Sequence, residues 1–146
     1  MAPKSLFIIC AFLALSAMAQ PRAFAEGQFI DIAPKNQTEV QLILETLESS
    51  IIAAQADLPA IVMMLHGDEA HRFLRSNYNA NKTLIDQTAK LAAYNVIKVQ
   101  ICATWMAINN YDDNELFPFV STVPLGSAEL ERLSGEEGYT EFSVNL

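Results

Sequence analysis

The sequence predicts an α/β fold: a single layer of mainly parallel five-stranded sheet flanked by helices. Three observations point there. Segments of strand character alternate with segments of helical periodicity from residue 28 onward, and that alternation implies a layered fold with a parallel sheet. The run Ile61-Val62-Met63-Met64-Leu65 is apolar at every position, as a strand covered on both faces is. No repeat, low-complexity tract or linker breaks the chain after residue 25, which suits one domain with one core.

Each element has its own signal. Residues 28–32 make the first strand. Asn36 starts a helix, with Glu39 three residues later completing a capping-box pattern. Val40, Ile43, Leu44, Leu47 and Ile51 follow at helical spacing and form one apolar face. This helix should end near residues 54–57, ahead of Pro59. After the apolar strand, Gly67-Asp68 turns the chain into a short helix with Ala70, Phe73 and Leu74 on one side. Residues 76–81 read as a polar loop, and Asn81 as the cap of a helix whose apolar face is Leu84, Ile85, Thr88, Leu91 and Ala92.

The strand over residues 96–102 alternates. Ile97, Val99 and Ile101 are apolar, whereas Lys98, Gln100 and Cys102 hold the even positions. Period-two alternation puts the cysteine on the polar face, which should meet solvent, a shallow site or another subunit. Residues 104–109 read as a short helix carrying Trp105 and Met106, and 119–124 as a strand. Ser127 should cap a helix with Leu130 and Leu133 inward, Gly138 should end it, and 139–144 should form the last strand.

Residues 1–25 read as a cleaved secretory signal. Lys4 supplies the positive start, residues 6–19 the apolar or small-residue run, and Ala23-Phe24-Ala25 the small-x-small cleavage pattern. The expected location is the periplasm, with residues 26–146 as the mature domain. Without Lys4 and Arg22, seven basic residues stand against seventeen acidic ones, a formal charge of −10. Such a surface repels phosphate backbones and anionic membranes, so neither nucleic acid nor membrane is an expected partner. Of the two cysteines, Cys10 lies in the leader. Cys102 then has no internal disulfide partner. An odd cysteine in an exported protein suggests an intermolecular partner or a free reactive thiol, and its bland alternative is a buried small hydrophobe.

The chemistry therefore gathers on Cys102 and its neighbours. It stands between a strand end and a helix start, and a helix N-terminus favours the thiolate form of a cysteine. His66 ends the apolar strand, and parallel pairing would bring its imidazole to the same sheet edge as the thiol. Ligands of open α/β sheets bind beyond that edge. His66, Gly67 and Trp105 are the candidate binding residues. His66 would pair with the thiol or bind an anionic group; otherwise it is a strand-end histidine bonded to a loop. Trp105 would wall a pocket or fill the core. His71, near Arg72 and Arg75, reads as part of a solvated face. No set of residues has a recognised metal-ligand spacing, and Asp112-Asp113-Asn114-Glu115 reads as a solvated cap to a short turn rather than a calcium loop.

Several segments taken in order resemble the DsrE/DsrF-like family. They are Leu65-His66-Gly67-Asp68-Glu69-Ala70, Asn81-Lys82-Thr83-Leu84-Ile85, Val99-Gln100-Ile101-Cys102, Asp113-Asn114-Glu115-Leu116-Phe117-Pro118, Leu130-Glu131-Arg132-Leu133 and Gly138-Tyr139. The nearest likeness is to small exported members. The resemblance implies a five-stranded α/β sheet, assembly into trimers or hexamers, and, in sulfur-relay members, sulfur carried as a persulfide on a cysteine that follows a strand. Cys102 stands at the matching position. Two places depart from the exported pattern: Ala103 stands where glycine often follows the cysteine, and Tyr94-Asn95 where Ala-Gly often ends a helix. The implied role is that of a sulfurtransferase or sulfur carrier, without a cofactor, exchanging sulfur with a donor or acceptor protein or a small thiol. The alternative is a non-catalytic module of the same fold that binds a small ligand or a protein.

Overall fold

A computed structural model describes residues 27–53 and 59–143, with side chains left undescribed over 50–53. The expected leader, the end of the first helix and the last residues of the final strand fall outside the described residues. Five strands, β1 (Gln28–Asp31), β2 (Ile61–Leu65), β3 (Ile97–Cys102), β4 (Val120–Val123) and β5 (Thr140–Glu141), form one sheet. Its order is β4-β3-β2-β1-β5, and every pairing is parallel. Among the described residues, four α-helices, α1 (Gln37–Ala53), α2 (Lys82–Ala93), α3 (Ala103–Ile108) and α4 (Gly126–Gly135), connect them. The expected α/β architecture is thus present.

The first turn of α1 carries the reciprocal capping box. Asn36 Oδ1 accepts from Glu39 N at 3.0 Å, and Glu39 Oε2 accepts from Asn36 N at 2.7 Å. The apolar stripe of α1 (Val40, Ile43, Leu44, Leu47) and that of α2 (Leu84, Ile85, Leu91) pack on Ile30, Met63, Leu65, Val99 and Ile101 in one buried cluster. These strand residues share a face through the parallel register. Burying a side chain of this kind contributes about 1.5–3 kcal/mol, so this face holds most of the core.

The opposite face carries Asp31, Met64, Gln100 and Cys102, whose register is likewise aligned. It is covered by α4, which touches β1, β2 and β3. The chain steps from β1 to β4 in one direction and returns to β5, and right-handed crossovers put a return leg on the other side of the sheet. This corrects one expectation. The polar face of β3 is open only at Lys98; Gln100 and Cys102 are buried, because α4 lies over them.

Smaller departures have local causes. Residues 76–81 are not an open loop: Arg75–Ala80 forms a 3-10 helix after another over Asp68–Phe73. Asn81 occupies the start of α2, but its side chain makes no cap and its Nδ2 donates to Asn77 O. Ser127 is not the cap of α4, which begins one residue earlier at Gly126 after Leu125. The helix ends at Gly135, and Gly138 instead takes a turn at φ 70°.

Both α2 and α3 end in Schellman motifs with asparagine, not glycine, in the left-handed position. Asn95 has φ 56° and Asn110 φ 60°. Val96 N donates to Leu91 O and Asn95 N to Ala92 O; Tyr111 N donates to Met106 O and Asn110 N to Ala107 O. Asparagine tolerates this conformation better than other residues with a Cβ. Asn95 therefore supplies the stop of α2 that glycine often supplies.

Candidate functional site

Four strands deliver residues to one edge, the carboxyl ends of the sheet. Asp31 ends β1, His66 follows β2, Cys102 ends β3, and Gly126 opens α4 after β4. The loop from β4 is tied over β3, since Pro124 O accepts from Thr104 N at 3.3 Å and from Thr104 Oγ1 at 2.7 Å. That tie seats Gly126 against the edge. A Cβ built on Gly126 would lie 2.7 Å from His66 Cβ and 3.4 Å from Cys102 Cβ. The two side chains therefore flank the same glycine, with Cβ atoms no more than about 6 Å apart.

The structure thus places His66 beside Cys102, as expected, although no hydrogen bond joins them among the described residues. The imidazole turns to β1 instead: His66 Nε2 meets Asp31 Oδ1 at 3.0 Å. The same oxygen accepts from Ala33 N at 3.0 Å. A carboxylate offers only acceptors, so this pair fixes Nε2 as the protonated nitrogen and leaves Nδ1 bare in the neutral ring. About a quarter of each side chain is exposed, 25% for His66 and 26% for Asp31.

A second carboxylate grips the backbone of the same histidine. Glu69 Oε1 accepts from His66 N at 2.8 Å and from Gly67 N at 2.9 Å. Glu69 is only 5% exposed, and its Oε2 is buried without a partner among the described residues. Glycine at 67 leaves room for this carboxylate, because a Cβ there would lie 2.7 Å from Glu69 Oε2 and make the carboxylate shift. Its amide is already bonded, so Gly67 shapes the site but has no free donor to offer a ligand.

Cys102 is 3% exposed. Its Sγ accepts from Trp105 N at 3.4 Å, which makes the cysteine the side-chain cap of α3. What Trp105 brings to the sulfur is therefore its backbone amide. The indole packs elsewhere, edge-on to His71 with centroids 4.8 Å apart and stacked on Tyr111 at 5.7 Å. His71 is half-buried, and Tyr111 Oη lies 3.2 Å from its Nδ1. The left-handed Asn110 is what turns Tyr111 back onto this group. Asp112 Oδ1 accepts from Asn114 N at 2.8 Å and caps the short turn, as its acidic run suggests. Among the described residues, no three His, Cys, Asp or Glu side chains are arranged to hold a metal ion, and no helix is long and apolar enough to cross a membrane.

Asp31, Glu69 and Gly126 were not singled out from sequence. Asp31 had a readable signal, an acid at the end of an apolar strand in Phe29-Ile30-Asp31-Ile32. Glu69 had a weaker one, an acid three residues after His66 at the start of a turn. Gly126 had none, because its role depends on a close approach across the sheet edge.

No family model and no curated protein matches the chain. Among solved structures, it is similar to a protein of unknown function, MTH1491, from Methanobacterium thermoautotrophicum. The likeness has a TM-score of 0.60 at 14% identity and covers 80% of this chain and 95% of that one. It is a likeness of fold, and the chain shares its α/β architecture with that protein.

Proposed function

We propose that this chain is a small exported sulfur-handling protein of the DsrE/DsrF-like kind, with Cys102 as a persulfide carrier. The observation that carries the reading is the position of the sulfur. Cys102 Sγ lies at the carboxyl edge of a parallel sheet, accepts the Trp105 amide, and has a histidine on the far side of Gly126. A persulfide or thiolate anion keeps that acceptor role unchanged. The partly exposed His66 and Asp31 side chains mark the approach for a donor, since the thiol itself is nearly covered.

Loading is a transfer of sulfane sulfur. The Cys102 sulfur attacks the outer sulfur of a donor persulfide, the donor S–S bond breaks, and a new S–S bond forms on Cys102. The Cys102 thiol proton ends on the departing donor thiolate, so a thiol and a persulfide yield a persulfide and a thiol. With no second cysteine in residues 26–146, the adduct cannot collapse to an internal disulfide and waits for an acceptor thiol. Periplasmic export follows from the leader-like residues 1–25. Assembly into a homotrimer or hexamer is part of the proposal, and Ile108, 75% exposed in a single copy, supports a further apolar contact.

The test is intact mass after incubation with a persulfide donor. One added sulfur on Cys102, removed by a small thiol and absent in Cys102→Ser, supports the carrier. No uptake from several donors refutes it. One specific observation favours the second reading, a non-catalytic binding module: a cysteine buried to 3% serves well as a structural cap.

A further inference from the structure

The geometry points to Asp31 as a positioning residue that makes His66 the proton acceptor for Cys102. The inference rests on the reading of Cys102 as a reactive thiol and adds to it the group that takes its proton. One histidine is held at both ends. Asp31 binds its ring at Nε2, and Glu69 binds its backbone amide. Glu69 is 5% exposed and leaves Oε2 buried without a partner among the described residues. Burying a carboxylate oxygen unsatisfied is costly, and the fold accepts that cost to fix the chain at His66. Asp31 is itself pinned by the Ala33 amide, so the ring cannot drift with a loose partner.

The consequence is chemical. Asp31 holds the proton on Nε2, leaving the bare Nδ1 next to Cγ. His66 Cγ lies 3.2 Å from the point where a Gly126 Cβ would stand, and Cys102 Cβ 3.4 Å from that same point. Glycine at 126 is thus what lets imidazole and thiol share one space. Among the described residues no hydrogen bond joins Nδ1 to Sγ, which rests on the Trp105 amide, so transfer runs through one water or after the thiol turns toward the ring; resting structures often show such contacts long. In the balanced step, the Cys102 S–H bond breaks and its proton goes to Nδ1 as the sulfur attacks. The imidazolium, stabilised by Asp31, then gives the proton to the leaving group. Nothing is oxidised or reduced beyond the sulfane transfer itself.

Two measurements on the full mature chain decide it. Nitrogen-15 spectra of the His66 ring should report a proton on Nε2 and a bare Nδ1, and Asp31→Asn should mix the two tautomers. Alkylation of Cys102 by iodoacetamide, read by mass, should slow on the order of 10- to 100-fold in Asp31→Asn and in His66→Gln. The double variant should be no slower than His66→Gln, because residues that act as one unit are not additive. Asp31→Glu should recover part of the rate. A proton on Nδ1 in the wild type, additive losses, or alkylation unchanged in both single variants would overturn the assignment. Alkylation that follows this pattern without any sulfur uptake would keep the acceptor pair and discard the sulfur carrier. Sulfur uptake at equal rates in all variants would do the reverse.

Discussion

Replacing Gly126 with alanine tests the close approach on which the whole edge depends. A helix position ordinarily gains up to about 1 kcal/mol from Gly→Ala. Here the added methyl would meet His66 Cβ at 2.7 Å and Cys102 Cβ at 3.4 Å. Neither neighbour is the free end of a long side chain. Both are Cβ atoms fixed to strand-end backbone, and the loop that carries Gly126 is held by the two Thr104 bonds to Pro124. Relief therefore needs backbone movement, and overpacking of that kind costs about 1–3 kcal/mol. The clash should win, leaving Gly126→Ala about 1–2 kcal/mol less stable, or about 5–10 °C lower in Tm. Gly135→Ala at the other end of α4 is the control, since a Cβ there meets nothing within 4 Å, and it should be neutral or stabilising. Urea unfolding of the two variants beside the wild type reads the difference. If Gly126→Ala unfolds at the same or higher urea than Gly135→Ala, the packing of His66 and Cys102 around that glycine is wrong.

Cys102→Ser should stay within about 1 kcal/mol of wild type by urea unfolding, because serine is a preferred helix cap and keeps the bond from Trp105 N; a loss beyond 2 kcal/mol, about the size of an unpaired buried group, would mean that the thiol acts mainly as packing. Glu69→Ala should cost about 2–4 kcal/mol in the same assay, since it strips the acceptor from two backbone amides, and a neutral result would contradict the grip on His66. The Arg132 guanidinium hydrogen-bonded to Glu129 holds that carboxyl below its ordinary value of 4.5. A depressed folded value adds stability above about pH 4.5 that is lost as pH falls through the folded value. Glu129→Gln should therefore flatten the stability curve measured between about pH 5 and pH 3, and an unchanged slope would remove this pair from acid unfolding.

The fold was legible because its signals are local and repeat the same message. The apolar run of β2, the stripe of α1 and the Asn36–Glu39 box each specify one element, and their alternation leaves a parallel sheet as the layered solution. What the sequence did not carry was cover. Alternation in β3 correctly separates Ile97, Val99 and Ile101 from Lys98, Gln100 and Cys102. It cannot say that α4 returns across the second face and buries two of those three. A polar residue within a strand marks a face, and only the crossover decides whether that face is wet.

The candidate site divides along the same line. Cys102 and His66 were readable because one ends β3 and the other directly follows β2, and parallel strands place their carboxyl ends together. Asp31 obeys the same rule, being the last residue of β1 beside Met64 in register; three residues at the carboxyl ends of adjacent parallel strands needed only to be considered together. Glu69 was harder. Its carboxylate turns back on the chain to hold two amides that precede it, a local bond that many acids at turn starts make without consequence. What sets it apart is burial, which no spacing reveals. The same limit applied to His71, whose basic neighbours suggest solvent while the left-handed turn at Asn110 brings Tyr111 and Trp105 around it. Sequence thus names the residues that end elements, and the loops that fold back over the sheet edge determine what chemistry those residues can perform.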